Sequence, residues 1–189
     1  MTGKFLPPRI DLEHARTSFL CRKTSNLFGL LRRKPARVDE YGQAISLELI
    51  WMPARAYRFA MIHKGKEVHS WVTVDANFGG FALLGRVKEL VDGDPAEGDV
   101  LDATLDEART EELAREGVVR YILRTRGAKP SVNDITDRFA YHAPVWVYYF
   151  RRAGNKLDLA VLDAYSGDPM GGLVKRAILN AFIARRAGK

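Results

Sequence analysis

The sequence predicts an α+β fold made of two tandem repeats, each a helix followed by a three-stranded antiparallel meander whose sheet the helix covers. Three observations lead there. Short phrases recur in the same order: HART at 14–17 and EART at 107–110, MPARAYRF at 52–59 and APVWVYYF at 143–150, RVKEL at 86–90 and LVKRA at 173–177. Each half carries one apolar pattern of helical period and then runs rich in β-branched and aromatic residues. Each half also closes its last strand with an Asp-Ala-x-x-Gly phrase, DANFG at 75–79 and DAYSG at 163–167.

Taken in order, Leu12, Ala15, Phe19, Leu20, Leu27, Leu30 and Leu31 suggest an amphipathic helix. Thr24 to Asn26 can break it by competing for backbone hydrogen bonds, and Pro35 ends it. YGQAISLELI at 41–50, Ala56–Ile62 and Val68–Val74 read as strands, with His63-Lys64-Gly65-Lys66 as a hairpin turn. The second helix begins near Leu105, uses Leu113, Val118, Val119, Ile122 and Leu123, and stops at Gly127 and Pro130. Its early acids suit a helix N-terminus. Residues 132–141, 145–151 and 157–162 supply the second meander, and AILNAFIARR at 177–186 a terminal helix. The expected organisation is a first repeat over 1–91 with a basic N-terminal helix, an acidic linker over 92–104, and a second repeat over 105–189 with a basic C-terminal helix. In both Asp-Ala-x-x-Gly phrases the carboxylate is expected to accept backbone N–H groups while the glycine takes positive φ, so Asp75, Gly79, Asp163 and Gly167 are read as turn-shaping residues.

Composition narrows the classes. The chain has 189 residues, 47% hydrophobic and 28% charged, which fits a folded globular protein and excludes disordered, collagenous and low-complexity scaffolds. Cys21 is the only cysteine, so there is neither an internal disulfide nor a thiolate zinc cage. No apolar run precedes the first charges in MTGKFLPPRIDLEHA, and a cytoplasmic location is expected. The net charge of +7 is segregated: residues 92–116 hold ten acidic and two basic side chains, whereas 171–189 hold five basic and none acidic. Such a pattern steers an anionic partner or is neutralised within the fold.

The phrases VDANFGG and LDAYSGD, following a helix and antiparallel strands, resemble the PepSY domain, a small α+β module often found in tandem and related in outline to cystatin-like folds. The resemblance covers roughly 40–80 and 130–168. It implies a noncatalytic binding, regulatory or inhibitory module and carries no catalytic residue.

A search for chemistry finds no dinucleotide or phosphate loop, no HExxH and no GxSxG elbow. His14 and Cys21 stand two helical turns apart, too far for a direct thiolate–imidazole bond. His63 and His69 flank the hairpin without a carboxylate to complete a metal site, His142 sits in a connection, and Glu107, Glu111, Glu112 and Glu116 read as a solvated helix face. No cofactor or metal is expected, and no catalytic residue is assigned. The function expected first is a noncatalytic protein-binding or regulatory module built on the pseudo-symmetric repeat, with an unidentified protein partner and a homodimer plausible through Ile178, Leu179, Phe182 and Ile183. The second is nucleic-acid binding, in which Arg32, Arg33, Lys34, Arg185 and Arg186 meet phosphates and Tyr57, Trp71, Trp146, Tyr148 and Tyr149 stack on bases. A small-ligand-binding protein or an enzyme ranks below these.

Overall fold

The computed structural model describes residues 3–25, 31–35, 46–152 and 156–187. Their elements are β1 (Lys4–Phe5), α1 (Leu12–Leu20), β2 (Cys21–Ser25), β3 (Leu31–Pro35), β4 (Leu47–His63), β5 (Lys66–Asp75), β6 (Phe81–Leu83), a short 3-10 turn (Val87–Glu89), β7 (Val91–Asp92), β8 (Asp99–Val100), α2 (Glu107–Arg124), β9 (Ser131–Arg152), β10 (Lys156–Asp163) and α3 (Gly172–Ala187). Eight strands make one mixed sheet in the order β6-β5-β4-β9-β1-β7, with β10 also paired to β9 and β8 to β4; β2 and β3 form a separate two-stranded sheet.

This sheet corrects the expected architecture. Two three-stranded meanders, each with its own sheet, are replaced by a single eight-stranded sheet, and the pseudo-symmetric tandem-repeat module, with the PepSY-like and cystatin-like layout it implied, falls with them. The physical reason lies in β4 and β9. At 17 and 22 residues they run through stretches read as separate strands, up to Ile50 and from Ala56 in β4, 132–141 and 145–151 in β9, and they lie side by side in the sheet. Alternation along a strand reveals which face is buried but not which strand lies alongside. The helices are corrected too. The N-terminal helix ends at Leu20, and Cys21–Ser25 pairs antiparallel with Leu31–Pro35, Cys21 opposite Pro35; Thr24 and Ser25 compete poorly for a helix interior, and Leu27 and Leu30 lie outside the described residues. Each of the first two helices also covers a hairpin from the other half of the sequence: α1 packs on β9–β10 and α2 on β4–β5.

Contacts divide the chain into two units: residues 1–7, 51–96 and 100–143 in the first, 8–50, 97–99 and 144–189 in the second. In the first, β4 and β5 pair from Ala54↔Asp75 to His63↔Lys66. The tip needs Lys64 at φ 52° and Gly65 at φ 73°, the consecutive positive dihedrals of a two-residue hairpin loop that matches strand twist. One sheet face buries Tyr57, Phe59, Val72 and Val74 against Ala114, Val118 and Ile122 of α2. The opposite face holds Ala54, Ala56, Leu84 and Tyr141, with Trp71 and Phe139 beside them.

The second unit has its own core. Ala15 of α1 meets Trp146, Leu162 and Ala164, and Phe19 stacks on Tyr148 with ring centroids 5.1 Å apart. The indole Nε1 of Trp146 donates to the Ile10 carbonyl at 2.7 Å, giving the one polar atom of a buried ring its partner. On α3, Val174, Ala177 and Ile178 are buried, whereas Leu179 and Ile183 are exposed. Among the described residues no helix is long and apolar enough to cross a membrane.

Candidate ligand groove

α2 is attached to its hairpin by directional bonds near its start. Asp106 caps it, accepting the Arg109 N–H at 2.8 Å, the usual way of satisfying a free helical donor. One turn on, the Thr110 side chain is fully buried and its hydroxyl lies 2.7 Å from the Tyr57 hydroxyl. Burial raises the Tyr57 phenol above its ordinary range, with Thr110 pulling it back, so Tyr57 stays protonated. Glu107 accepts from Arg55 at 3.2 Å and from Arg138 at 3.1 Å, and Glu111 accepts from Arg138 at 2.9 Å. The carboxylates that read as a solvated face are therefore partly engaged with arginines of the sheet.

Halfway along, the helix comes closest to the strands. A Cβ on Gly117 would lie 2.1 Å from Cδ2 of Phe81, so only glycine lets the ring reach the helix backbone. Beyond this point the packing loosens. The last turns of α2, the residues after it and the tip half of the β4–β5 hairpin enclose a groove of about 480 Å³, within the usual range of small-molecule sites. Phe59, Met61, Val72, Val118 and Ile122 form its floor and walls. Val68, Leu83 and Tyr121, also lining it, are 38%, 47% and 48% exposed, so the groove opens to solvent along an apolar edge. His63 and Lys64 at the hairpin tip and Thr125 and Arg126 at the end of the helix supply polar groups, and Ser70 lies farther along β5, opposite Phe59.

A smaller recess of about 220 Å³ is lined by Arg55, Asp102, Tyr141 and His142 among others. Among the described residues the buried Nδ1 of His142 has no hydrogen-bond partner. Burial lowers its pKa, opposed by the Asp94 carboxylate, and favours the neutral imidazole. His63 and His69 do not converge: His63 faces the groove, whereas His69 neighbours groove-lining Ser70 on the strand and so faces the other way, 3.6 Å from Glu67. Among the described residues no three His, Cys, Asp or Glu side chains gather as a metal site.

The other residues singled out in the sequence are dispersed. Tyr57, Trp146 and Tyr148 are buried, and Trp71 and Tyr149 half-buried. Tyr148 is stacked by Phe19, and Tyr149 lies 6.4 Å from Phe182, while burial and the Glu48 carboxylate push its phenol up. The side chains of Arg32, Arg33, Lys34, Arg185 and Arg186 lie outside the described residues. Asp75 and Asp163 sit in closely similar turns. Oδ1 of Asp75 accepts the Asn77 and Phe78 N–H groups at 2.8 and 3.0 Å, and Oδ1 of Asp163 accepts those of Tyr165 and Ser166 at 2.7 and 3.0 Å. Gly79 and Gly167 take φ of 74° and 78°. Burial raises the Asp75 carboxyl to about 6, against the pull of its two backbone donors.

The groove itself was not singled out from the sequence. Its residues read as ordinary strand and helix core; the available signals were the positively charged hairpin tip at 63–66 and, later in the chain, Gly117 within an otherwise regular helix. No family model, curated protein or solved structure matches this chain.

Proposed function

We propose that this protein binds a small, largely apolar molecule in the groove between the end of α2 and the tip of the β4–β5 hairpin. The observation that carries the reading is the groove's combination of size, apolar lining and exposed apolar edge. Sites for small molecules are concave, mostly apolar, and bear a few convergent polar groups, and this one has both of its cationic side chains, Lys64 and Arg126, at the ends of the hairpin and the helix. A protein-binding module resting on a pseudo-symmetric repeat is set aside with that repeat. Stacking of bases on the sheet has little support, since three of the five aromatics it needs are buried.

The test is a titration with the neutral solvatochromic dye Nile red. Saturable, one-to-one binding is expected. Val68→Trp places an indole in the open groove at an exposed position and is expected to weaken binding by about tenfold, equivalent to 1.4 kcal/mol, with unchanged thermal stability. Non-saturable dye uptake, or saturable uptake indifferent to Val68→Trp, overturns the proposal.

A further inference from the structure

Resting on that reading, we infer that the groove's ligand is an anionic amphiphile, a chain with a carboxylate-type head seated at the hairpin tip.

Charge at the groove has one sign. The ionisable side chains lining it are His63, Lys64, Tyr121 and Arg126, and no Asp or Glu lines it. Earlier on α2 Arg109 pairs with Glu112, Arg115 with Glu111 and Arg120 with Glu116, whereas Arg124 in the last turn has no carboxylate partner among the described residues. Among the described residues Lys64 and Arg126 have no carboxylate partner. A cation just past a helix C-terminus has an ordinary structural role, compensating the helix dipole, and Arg126 fits that description. The helix end is nevertheless already partly satisfied, because the Thr125 hydroxyl donates to the Tyr121 carbonyl at 3.0 Å and the Thr125 N–H to that of Ile122 at 3.1 Å.

Lys64 has no such role. It belongs to a different element and occupies the left-handed backbone region at φ 52°, in a loop where Asn, Asp and Gly are preferred. Lysine there is a locally unfavourable choice, and it puts a flexible ammonium on the same rim as Arg126. The two cations flank the polar end of a slot whose other walls are aliphatic and aromatic. A neutral apolar ligand leaves both without a counterpart, and a cationic one is repelled. A carboxylate head satisfies them while its chain lies along Met61, Val72 and Ile122.

The experiment is displacement of bound Nile red from the full chain by dodecanoate, dodecanol and dodecyltrimethylammonium, at low and raised salt. Dodecanoate is expected to bind at least about tenfold more tightly than dodecanol, the size of one charge-assisted hydrogen bond, with the cationic amphiphile weakest. Salt narrows the difference by screening exposed charges. Lys64→Asn, which suits the turn, combined with Arg126→Gln is expected to bring dodecanoate to the affinity of dodecanol, each read against the other in the same variant, and a preference of about tenfold kept by the variant overturns the role of the two cations. Equal binding of dodecanoate and dodecanol by the unaltered protein, or preference for the cation, overturns the anionic head and leaves the apolar groove standing. Saturable dye binding that none of the three displaces also overturns it. Absence of dye binding removes the groove reading, and this inference with it.

Discussion

Two hairpins of this chain close with the same hydrogen-bonded turn, yet they are covered differently. Over β4–β5 lies an 18-residue helix, and over β9–β10 a 9-residue one. At the first seam a buried hydroxyl pair, Tyr57 and Thr110, sits where the second has the small Ala15 against Trp146 and Leu162. The longer helix outruns its close contact at Gly117 and leaves an open slot behind it. The comparison teaches that the turn sets how a hairpin is closed, while the length and seam chemistry of the covering helix set what space remains for a ligand.

The largest effect that sharpens this contrast is electrostatic. The Asp75 carboxyl, raised from 3.8 to about 6 in the folded protein, binds a proton more tightly folded than unfolded. Its contribution to stability is fully present below about pH 4 and is lost as pH rises through about 6, a swing of about 3 kcal/mol. Both donors converge on Oδ1, so a proton on Oδ2 leaves the turn intact. Asp75→Asn keeps an acceptor and cannot ionise. The stability difference between the unaltered protein and this variant, from urea unfolding across pH 4 to 7, is expected to move in the variant's favour as pH rises. A flat difference would mean that Asp75 is solvated.

The two turn glycines come next. Gly79→Ala and Gly167→Ala both force a side chain into the left-handed region, at a cost of about 1–2 kcal/mol. The new Cβ at position 79 would also lie 2.7 Å from Leu113 of α2, whereas at 167 the nearest atom, on Ile10, is 3.4 Å away. Gly79→Ala is therefore expected to cost about 1 kcal/mol more than Gly167→Ala, within the range for overpacking. Equal losses in thermal unfolding would show that Leu113 yields freely.

The smallest effect concerns the seam. Thr110→Val removes the buried partner of the Tyr57 hydroxyl and is expected to cost about 1–2 kcal/mol. In the background of Tyr57→Phe the same change should cost less, because the Tyr57 hydroxyl, which Thr110→Val leaves with only the Glu107 carbonyl at 3.4 Å, is then absent. A double-mutant cycle measures the coupling, and a coupling near zero would deny the pair its part in holding α2.

Local features were legible in the residues. Lys64-Gly65 between alternating runs announced the hairpin tip, and the acids before Leu113, with Gly127 and Pro130 after Leu123, bracketed α2. The placement of β4 beside β9 was not legible, because it depends on pairings between residues far apart in sequence. Pro53 and Pro144 lie inside these long strands, and their carbonyls accept the Ala76 and Ala164 N–H groups. Recurrence of the Asp-Ala-x-x-Gly phrase described a shared turn, and extending it to a shared sheet overstated what five residues determine. The groove was hidden for a related reason: Phe59, Met61, Val118 and Ile122 have the spacing of core residues, and only the contact between Gly117 and Phe81 reveals where the helix and hairpin part.

α2 is in effect a cantilever. Its fixed end is bolted through Asp106, Glu107, Thr110 and Glu111, by bonds that tolerate little change in angle. Its free end rests on Val118 and Ile122, contacts without direction that survive a small slide. The end of the beam that borders the groove is thus the end held by packing alone, while the bolts lie at the other.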